Sequence, residues 1–226
     1  MQIEVARVLS PVESLGPGKR LALWLQGCAI AQAGSPCGGC ISRDLWVSGH
    51  GRCLDTYDFG REVTERVHSE ELSGLTVTGG EPLDQYDALL ALVGAVKSEL
   101  LSDHDSYGQS NTFDLLLFTH YTQSEIATGF PDIMEAFDAM VCGEYRADLP
   151  SETPLIGSTN QELIVKPIVA NKYSTLSQQP RLQAFVVEGD VLFTGIPLTG
   201  EVEAIAHRLE SRGVTFESVS WKGAQP

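Results

Sequence analysis

The strongest constraint on how this chain can fold is an alternation of short, uninterrupted apolar runs with stretches of helical periodicity. Leu21-Ala22-Leu23-Trp24-Leu25 is too short for a helix and is ended by Gly27. Leu75-Thr76-Val77-Thr78 stops at Gly79-Gly80, and Leu115-Leu116-Leu117-Phe118 is apolar throughout. Residues 139–142 and Leu163-Ile164-Val165 add two more such runs, and Ile3, Val5 and Val8 mark a first strand. The run at 115–118, without any polar alternation, predicts a strand covered on both faces, as in parallel sheets. Between the runs, residues 56–69 carry Phe59, Val63 and Val67 at helical spacing. Tyr86, Leu89, Leu90, Val93, Val96 and Leu100 keep the helical period over about four turns. Residues 123–127 and 132–137 are further helical candidates, and 102–111 read as a polar surface loop. Strands separated by helices of this length predict βα units and a parallel sheet, an α/β fold.

The 226 residues fit one domain, or one domain with a modest extension. A complete eight-stranded (β/α) barrel typically needs about 250 residues, so this chain accommodates only a partial one. From about Pro167 the pattern changes. Residues 185–193 read as a hairpin turning at Glu188-Gly189-Asp190, and Val202, Ile205, Ala206 and Leu209 mark a helix with Gly213 as its stop. The expected organisation is an α/β core over 1–166 and a small α+β extension over 167–226, packed on that core as a cap.

Acidic residues outnumber basic ones 30 to 15, and no Lys/Arg cluster offsets the net charge of −15. Such a surface repels phosphate backbones, so nucleic acid is not an expected partner. No apolar run approaches the roughly 20 residues needed to cross a bilayer, and the N-terminus carries no signal-peptide pattern. The expectation is a cytoplasmic protein without a membrane partner, in a compartment that keeps thiols reduced.

Within that compartment, the placing of the five cysteines points to metal or redox chemistry before disulfides. Cys28, Cys37 and Cys40 fall in one glycine-rich segment, expected to be a loop, directly after a strand. Glycines let backbone wrap closely around a bulky group. Several readings fit the spacing: a four-ligand zinc site that recruits Cys53, a four-thiolate 4Fe-4S cluster, a three-thiolate cluster with one open iron, or simply buried cysteines. Cys53 and Cys142 are too few and too distant for an additional cluster, which leaves Cys142 as a buried strand residue and Cys53 as a bystander. A second feature is Thr76-Val77-Thr78-Gly79-Gly80-Glu81-Pro82. Glycines at the C-terminal end of a strand expose backbone to a ligand, and Glu81 can accept hydrogen bonds from an ammonium group. An ordinary strand-to-helix turn with a helix-start carboxylate explains the same residues.

In order along the chain stand Gly16-Pro17-Gly18-Lys19-Arg20, Trp24-Leu25-Gln26-Gly27-Cys28, Cys37-Gly38-Gly39-Cys40, Leu45-Trp46 and Thr78-Gly79-Gly80-Glu81-Pro82-Leu83. They are followed by Leu117-Phe118-Thr119-His120-Tyr121-Thr122, Val141-Cys142-Gly143-Glu144-Tyr145 and Gly157-Ser158-Thr159-Asn160-Gln161. From about Gly16 to Lys166 this series resembles the radical S-adenosylmethionine (SAM) activating enzymes, the activases of glycyl-radical enzymes. The chain departs from that family's pattern by five extra residues between the first two cysteines, and a flexible loop absorbs such an insertion at little cost. At His120 the family has glycine.

The resemblance implies a partial (β/α) radical SAM barrel and an oxidoreductase in which Cys28, Cys37 and Cys40 hold one 4Fe-4S cluster. SAM would chelate the open iron, and one-electron cleavage would yield a 5′-deoxyadenosyl radical that takes a hydrogen atom from a glycine of a partner glycyl-radical enzyme. Gly39, Thr78, Gly79, Gly80, Glu81, Pro82, Thr119, Ser158 and Asn160 would line the cofactor site, with flavodoxin or ferredoxin as a low-potential electron donor. No catalytic side chain beyond cluster and SAM is expected, since the cofactors carry the hard chemistry. His50, His68, His104, His120 and His207 are scattered. A surface or core role is the default for each, and His120 alone, following a motif strand, is also a candidate for the cofactor pocket. Two alternatives stay open: radical SAM modification of a peptide or small molecule, and a non-catalytic zinc or iron–sulfur binding module.

Overall fold

A computed structural model describes residues 1–102, 113–187 and 190–215. Seven strands form one open sheet in the order β3-β1-β2-β4-β5-β6-β7. They are β1 (Gln2–Val12), β2 (Arg20–Leu25), β3 (Arg52–Asp55), β4 (Gly74–Gly79), β5 (Asp114–Thr119), β6 (Ala139–Cys142) and β7 (Glu162–Val165). The parallel expectation holds for the centre, where β2, β4, β5 and β6 run side by side in one direction. It fails at the flanks: β1 is antiparallel to β2 and to β3, and β7 is antiparallel to β6. No helix lies between β6 and β7, so the crossover that would make β7 parallel is missing.

The apolar runs explain the layers. Leu21, Leu23, Leu25, Leu75, Val77, Leu115 and Leu117 turn one way into the main core, facing Phe59, Val63 and Val67 of α2 and Leu89, Leu92 and Val96 of α3. Helix α2 (Thr56–Ser69) starts where the Asp55 carboxylate accepts from the amides of Tyr57 (2.9 Å) and Asp58 (3.2 Å). It crosses α3 (Tyr86–Ser102) closely, because a Cβ on Gly60 would lie only 2.7 Å from that of Ala95. Helices α4 (Gln123–Gly129) and α5 (Pro131–Ala136) complete the layer, and Thr122 and Glu125 form a capping box at the start of α4.

The alternate residues, Ala22, Trp24, Leu116, Ala139 and Val141, face the other way. Val169, Tyr173 of α6 (Ala170–Tyr173) and Leu176 pack against Leu116, Ala139 and Val141. Phe185 and Leu192, from the hairpin of β8 (Leu182–Val187) and β9 (Asp190–Gly195), pack beside Ala22 and Trp24. Ser14 Oγ bonds the Thr194 carbonyl at 2.9 Å. Helix α7 (Glu201–Glu210) follows, and its buried residue is Ala206. The expected hairpin turn at Glu188-Gly189, His104 and nearly all of the 102–111 loop lie outside the described residues.

A buried ion pair closes the N-terminal ends of the parallel strands. Arg20, at 0% exposure, donates to both carboxylate oxygens of Asp114 (2.8 and 3.0 Å), to Thr76 Oγ1 (2.6 Å) and to the Leu75 carbonyl (3.0 Å). Lys172 Nζ and the Tyr173 hydroxyl (2.7 Å) reach the same carboxylate, tying α6 to the sheet. Every lone pair of the aspartate is thus engaged, the condition under which a buried charge pair is tolerated. The opposite, C-terminal ends carry the site.

Candidate iron–sulfur and cofactor site

In parallel α/β architectures ligands gather at the carboxyl ends of the strands, and here all three cysteines are brought there by one segment. The segment leaves β2 with its first residues fixed: the Gly27 and Cys28 amides donate to the Leu45 and Trp46 carbonyls at 2.8 and 2.9 Å. A four-residue helix, α1 (Ala29–Gln32), occupies part of the stretch expected to be loop throughout, because its backbone amides find carbonyl partners locally. The segment then crosses to the far side of the parallel strands. Gly38 bridges Arg146, beyond β6, with the Ala147 amide donating to the Gly38 carbonyl at 2.8 Å. Gly39 has a left-handed φ of +89°, and a Cβ there would lie 2.5 Å from that of Ala147. So Cys28 stands over β2 while Cys37 and Cys40 lie beside the segment that follows β6.

Cys28 is buried, and Cys37 and Cys40 are half-buried. Burial is the main cause that pushes the Cys28 thiol up; the Ala31 backbone bond opposes it, and Glu81, Asp84 and Cys40 add to it. Burial likewise pushes Cys37 up to about 11, against the backbone N–H of Tyr145 and with Cys40, Glu144 and Cys28 reinforcing it. Cys28 and Cys37 therefore sit in an acidic surrounding shared with Cys40, where a nearby cation would favour their ionisation. Among the described residues no three His, Cys, Asp or Glu side chains converge tightly enough to hold a single metal ion. Three cysteines carried by one segment are a donor set that a 4Fe-4S cluster with one open iron would take. Cys53 is exposed on β3. Cys142 is buried on β6, its thiol pushed up to about 12 by burial first and then by Glu162 and Glu81.

The turn after β4 locks onto the start of the cysteine segment. Gly79 lies against Leu25, where a Cβ would be 2.3 Å from backbone, and a Cβ on Gly80 would be 1.9 Å from the Gly27 oxygen. These glycines are required by strand-to-strand contact. The Glu81 amide donates to the Gly27 carbonyl at 2.8 Å, and the Asp84 carboxylate accepts from the Ala29 amide at 2.6 Å. Thr78 is half-buried at the strand end, and Pro82, buried with Leu83, opens a 3-10 turn, Pro82–Gln85.

Glu81 is 1% exposed and engaged throughout. One oxygen accepts from the Leu83 amide (2.8 Å) and Thr119 Oγ1 (2.8 Å). The other meets the His120 amide (3.0 Å) and His120 Nδ1 (2.6 Å). Burial lowers the His120 pKa, but the Glu81 bond and charge, with Asp84 and Glu125, outweigh it and leave the pKa raised. The imidazole lies against the Tyr121 ring at a centroid distance of 4.0 Å, and its Nε2 is buried with no hydrogen-bond partner among the described residues.

Ser158 and Asn160 stand on the far side. Buried Ser158 Oγ accepts from the Arg146 amide (3.1 Å), and exposed Asn160 Nδ2 donates to the Glu144 carbonyl (2.8 Å). Gln161 completes the brace, accepting from the Gly157 and Ser158 amides (3.0 and 3.2 Å) and donating to the Gly143 carbonyl (2.9 Å). These residues hold the segment on which Gly38 and Gly39 rest. Gln161 and Tyr145 lie in stretches that carry the family resemblance but have no expected role there, and nothing in the sequence points to Asp84.

The sequence agrees with this geometry. Residues 14–164 match the profile of the family described as 4Fe-4S single cluster domain. The chain is also similar to the anaerobic ribonucleoside-triphosphate reductase-activating protein of Enterobacteria phage T4, 29% identical over 150 residues that cover 66% of this chain and 85% of the relative. The profile match takes in Cys28, Cys37 and Cys40 and spans well over half of the sequence: the chain belongs to the 4Fe-4S single cluster domain family.

Proposed function

We propose that the protein is a radical SAM oxidoreductase that activates a partner enzyme by generating a glycyl radical on it. Cys28, Cys37 and Cys40 would hold one 4Fe-4S cluster, and Gly39, Thr78, Gly79, Gly80, Glu81, Pro82, Thr119, Ser158 and Asn160 would form or brace the SAM pocket. What cluster and SAM supply when bound is one-electron cleavage of the sulfonium carbon–sulfur bond to a 5′-deoxyadenosyl radical, with flavodoxin or ferredoxin as electron source.

The observation that carries this reading is the direct bond from the Glu81 amide to the Gly27 carbonyl. It couples the Gly-Gly-Glu-Pro turn to the residue before Cys28, so the expected SAM turn and cluster loop form one unit. The chain's own work is to hold and shield. The cysteine segment spans the carboxyl ends of β2 to β6, and it buries Cys28, and Cys37 and Cys40 in part. The acidic surround of Glu81, Asp84 and Glu125 suits a cationic sulfonium ligand. In this reading β2, β4, β5 and β6 are the parallel wall of a partial barrel within a core assigned to 1–166, and the described residues of the 167–226 extension pack on its second face. The relative's printed role supports a ribonucleotide-reductase-like partner.

The test is reductive cleavage. Cluster-loaded protein, reduced with dithionite under anaerobic conditions and given SAM, should release 5′-deoxyadenosine and methionine in equal amounts. A fully loaded, reduced cluster that yields neither product would overturn the reading.

A further inference from the structure

Glu81 is the residue expected to meet the ligand, yet its carboxylate is committed to four protein donors at 1% exposure. The group left open beside it is His120 Nε2, buried and without a partner among the described residues. A buried polar nitrogen that has given up water without gaining a bond is destabilising, so its position calls for a partner that arrives from outside the chain. The imidazole is not free to turn toward one elsewhere. Nδ1 is held by Glu81 at 2.6 Å, its own backbone amide is bonded to the same carboxylate oxygen, and one ring face lies on Tyr121. A carboxylate that fixes one ring nitrogen decides the direction and the donor character of the other.

We infer that His120 is a ligand-contacting residue of the cofactor pocket, its Nε2–H donating to the carboxylate of bound SAM, with Glu81 as the residue that positions it. The inference rests on the SAM reading above and deepens it. The carboxylate is the favoured end of the ligand on charge grounds. Glu81, Asp84 and Glu125 surround the ring and suit the sulfonium and ammonium groups, but they repel an anion. His120, whose protonated form those same acids favour, is the donor placed among them to offset that repulsion. The cysteine segment's first residues sit in the same electrostatic neighbourhood, since Cys28 is acted on by Glu81 and Asp84.

The experiment measures SAM affinity by anaerobic calorimetry on cluster-loaded protein, for wild type, His120→Asn, His120→Gln and His120→Phe, with decarboxylated SAM as the second probe. Asn keeps a nitrogen near the place of Nδ1, and so the tie to Glu81, but has nothing at Nε2; Gln places its amide nitrogen near Nε2. His120→Asn and His120→Phe should each weaken SAM about tenfold or more. Decarboxylated SAM should bind all forms alike, and His120→Gln should recover part of the loss. Iron content and melting temperature, read on every variant, establish that the fold and cluster persist. If His120→Asn binds SAM as wild type does, or if both ligands weaken equally, His120 is a brace and the inference fails. If wild type itself binds no SAM, the SAM reading falls, and this inference with it.

Discussion

Replacing Gly80 by Ala adds one methyl group at the tightest point of the site. Its ideal Cβ would sit 1.9 Å from the Gly27 oxygen, 2.6 Å from the Gly27 carbonyl carbon and 2.9 Å from the Leu45 oxygen. All three are backbone atoms, so no side chain can rotate to relieve the clash. The Gly27 carbonyl must move, which breaks its 2.8 Å bond from the Glu81 amide and drags Cys28, the next residue. Overpacking of this kind costs about 1–3 kcal/mol, and one backbone hydrogen bond adds about 0.5–1.5 kcal/mol. The variant should therefore lose about 2–4 kcal/mol in urea denaturation, and it should hold less iron, because the first cysteine is displaced. Gly94→Ala is the control: exposed on α3, with nothing within 4 Å of the new Cβ. It should gain about 0.5–1 kcal/mol from helix propensity alone. A Gly80→Ala protein with a wild-type midpoint and full iron would refute this view, and would return Gly80 to a role in ligand access only.

Asp114→Asn leaves the Arg20 guanidinium, 0% exposed, without its counter-charge; the expected loss is about 3–5 kcal/mol in urea denaturation, and a loss below about 1 kcal/mol would contradict the pair's role. Cys28→Ala, Cys37→Ala and Cys40→Ala should each abolish the cluster's visible absorbance, whereas Cys53→Ala should keep it; equal loss in Cys53→Ala would favour a four-thiolate site. The His120 pKa is raised above its ordinary 6.5, so its stabilising contribution is complete below that value and fades as pH rises through the folded pKa. The midpoint difference between wild type and His120→Phe should then be largest near about pH 6 and smaller at about pH 9; a difference that grows with pH would reverse the sign.

What the sequence revealed, and what it withheld, divides by range. The runs of β2, β5 and β6 were legible because a strand buried on both faces has no polar position to interrupt it, and β4 because its β-branched Thr76, Val77 and Thr78 are ended by Gly79-Gly80. Helix α2 was legible because its periodic face is local. Strand β3, Arg52-Cys53-Leu54-Asp55, has neither an apolar run nor alternation; it is a strand because β1 lies beside it. The direction of β7 depended on there being no crossover helix, which apolarity alone does not encode. At the site, the cysteines and the Gly-Gly-Glu-Pro turn were conspicuous in the sequence. The saturation of Glu81 was not, since its partners Thr119 and His120 stand 38 and 39 residues away. Nor was the reason for Gly80, whose constraint is a carbonyl on another strand's exit.

The most direct test of the whole account is the metal content of the protein purified without oxygen. Three cysteines carried by one segment, in a chain of the 4Fe-4S single cluster family, predict about four iron and four acid-labile sulfide per chain, with no stoichiometric zinc. One zinc per chain without sulfide, lost when Cys53 is replaced, would contradict the cluster and the SAM chemistry built on it.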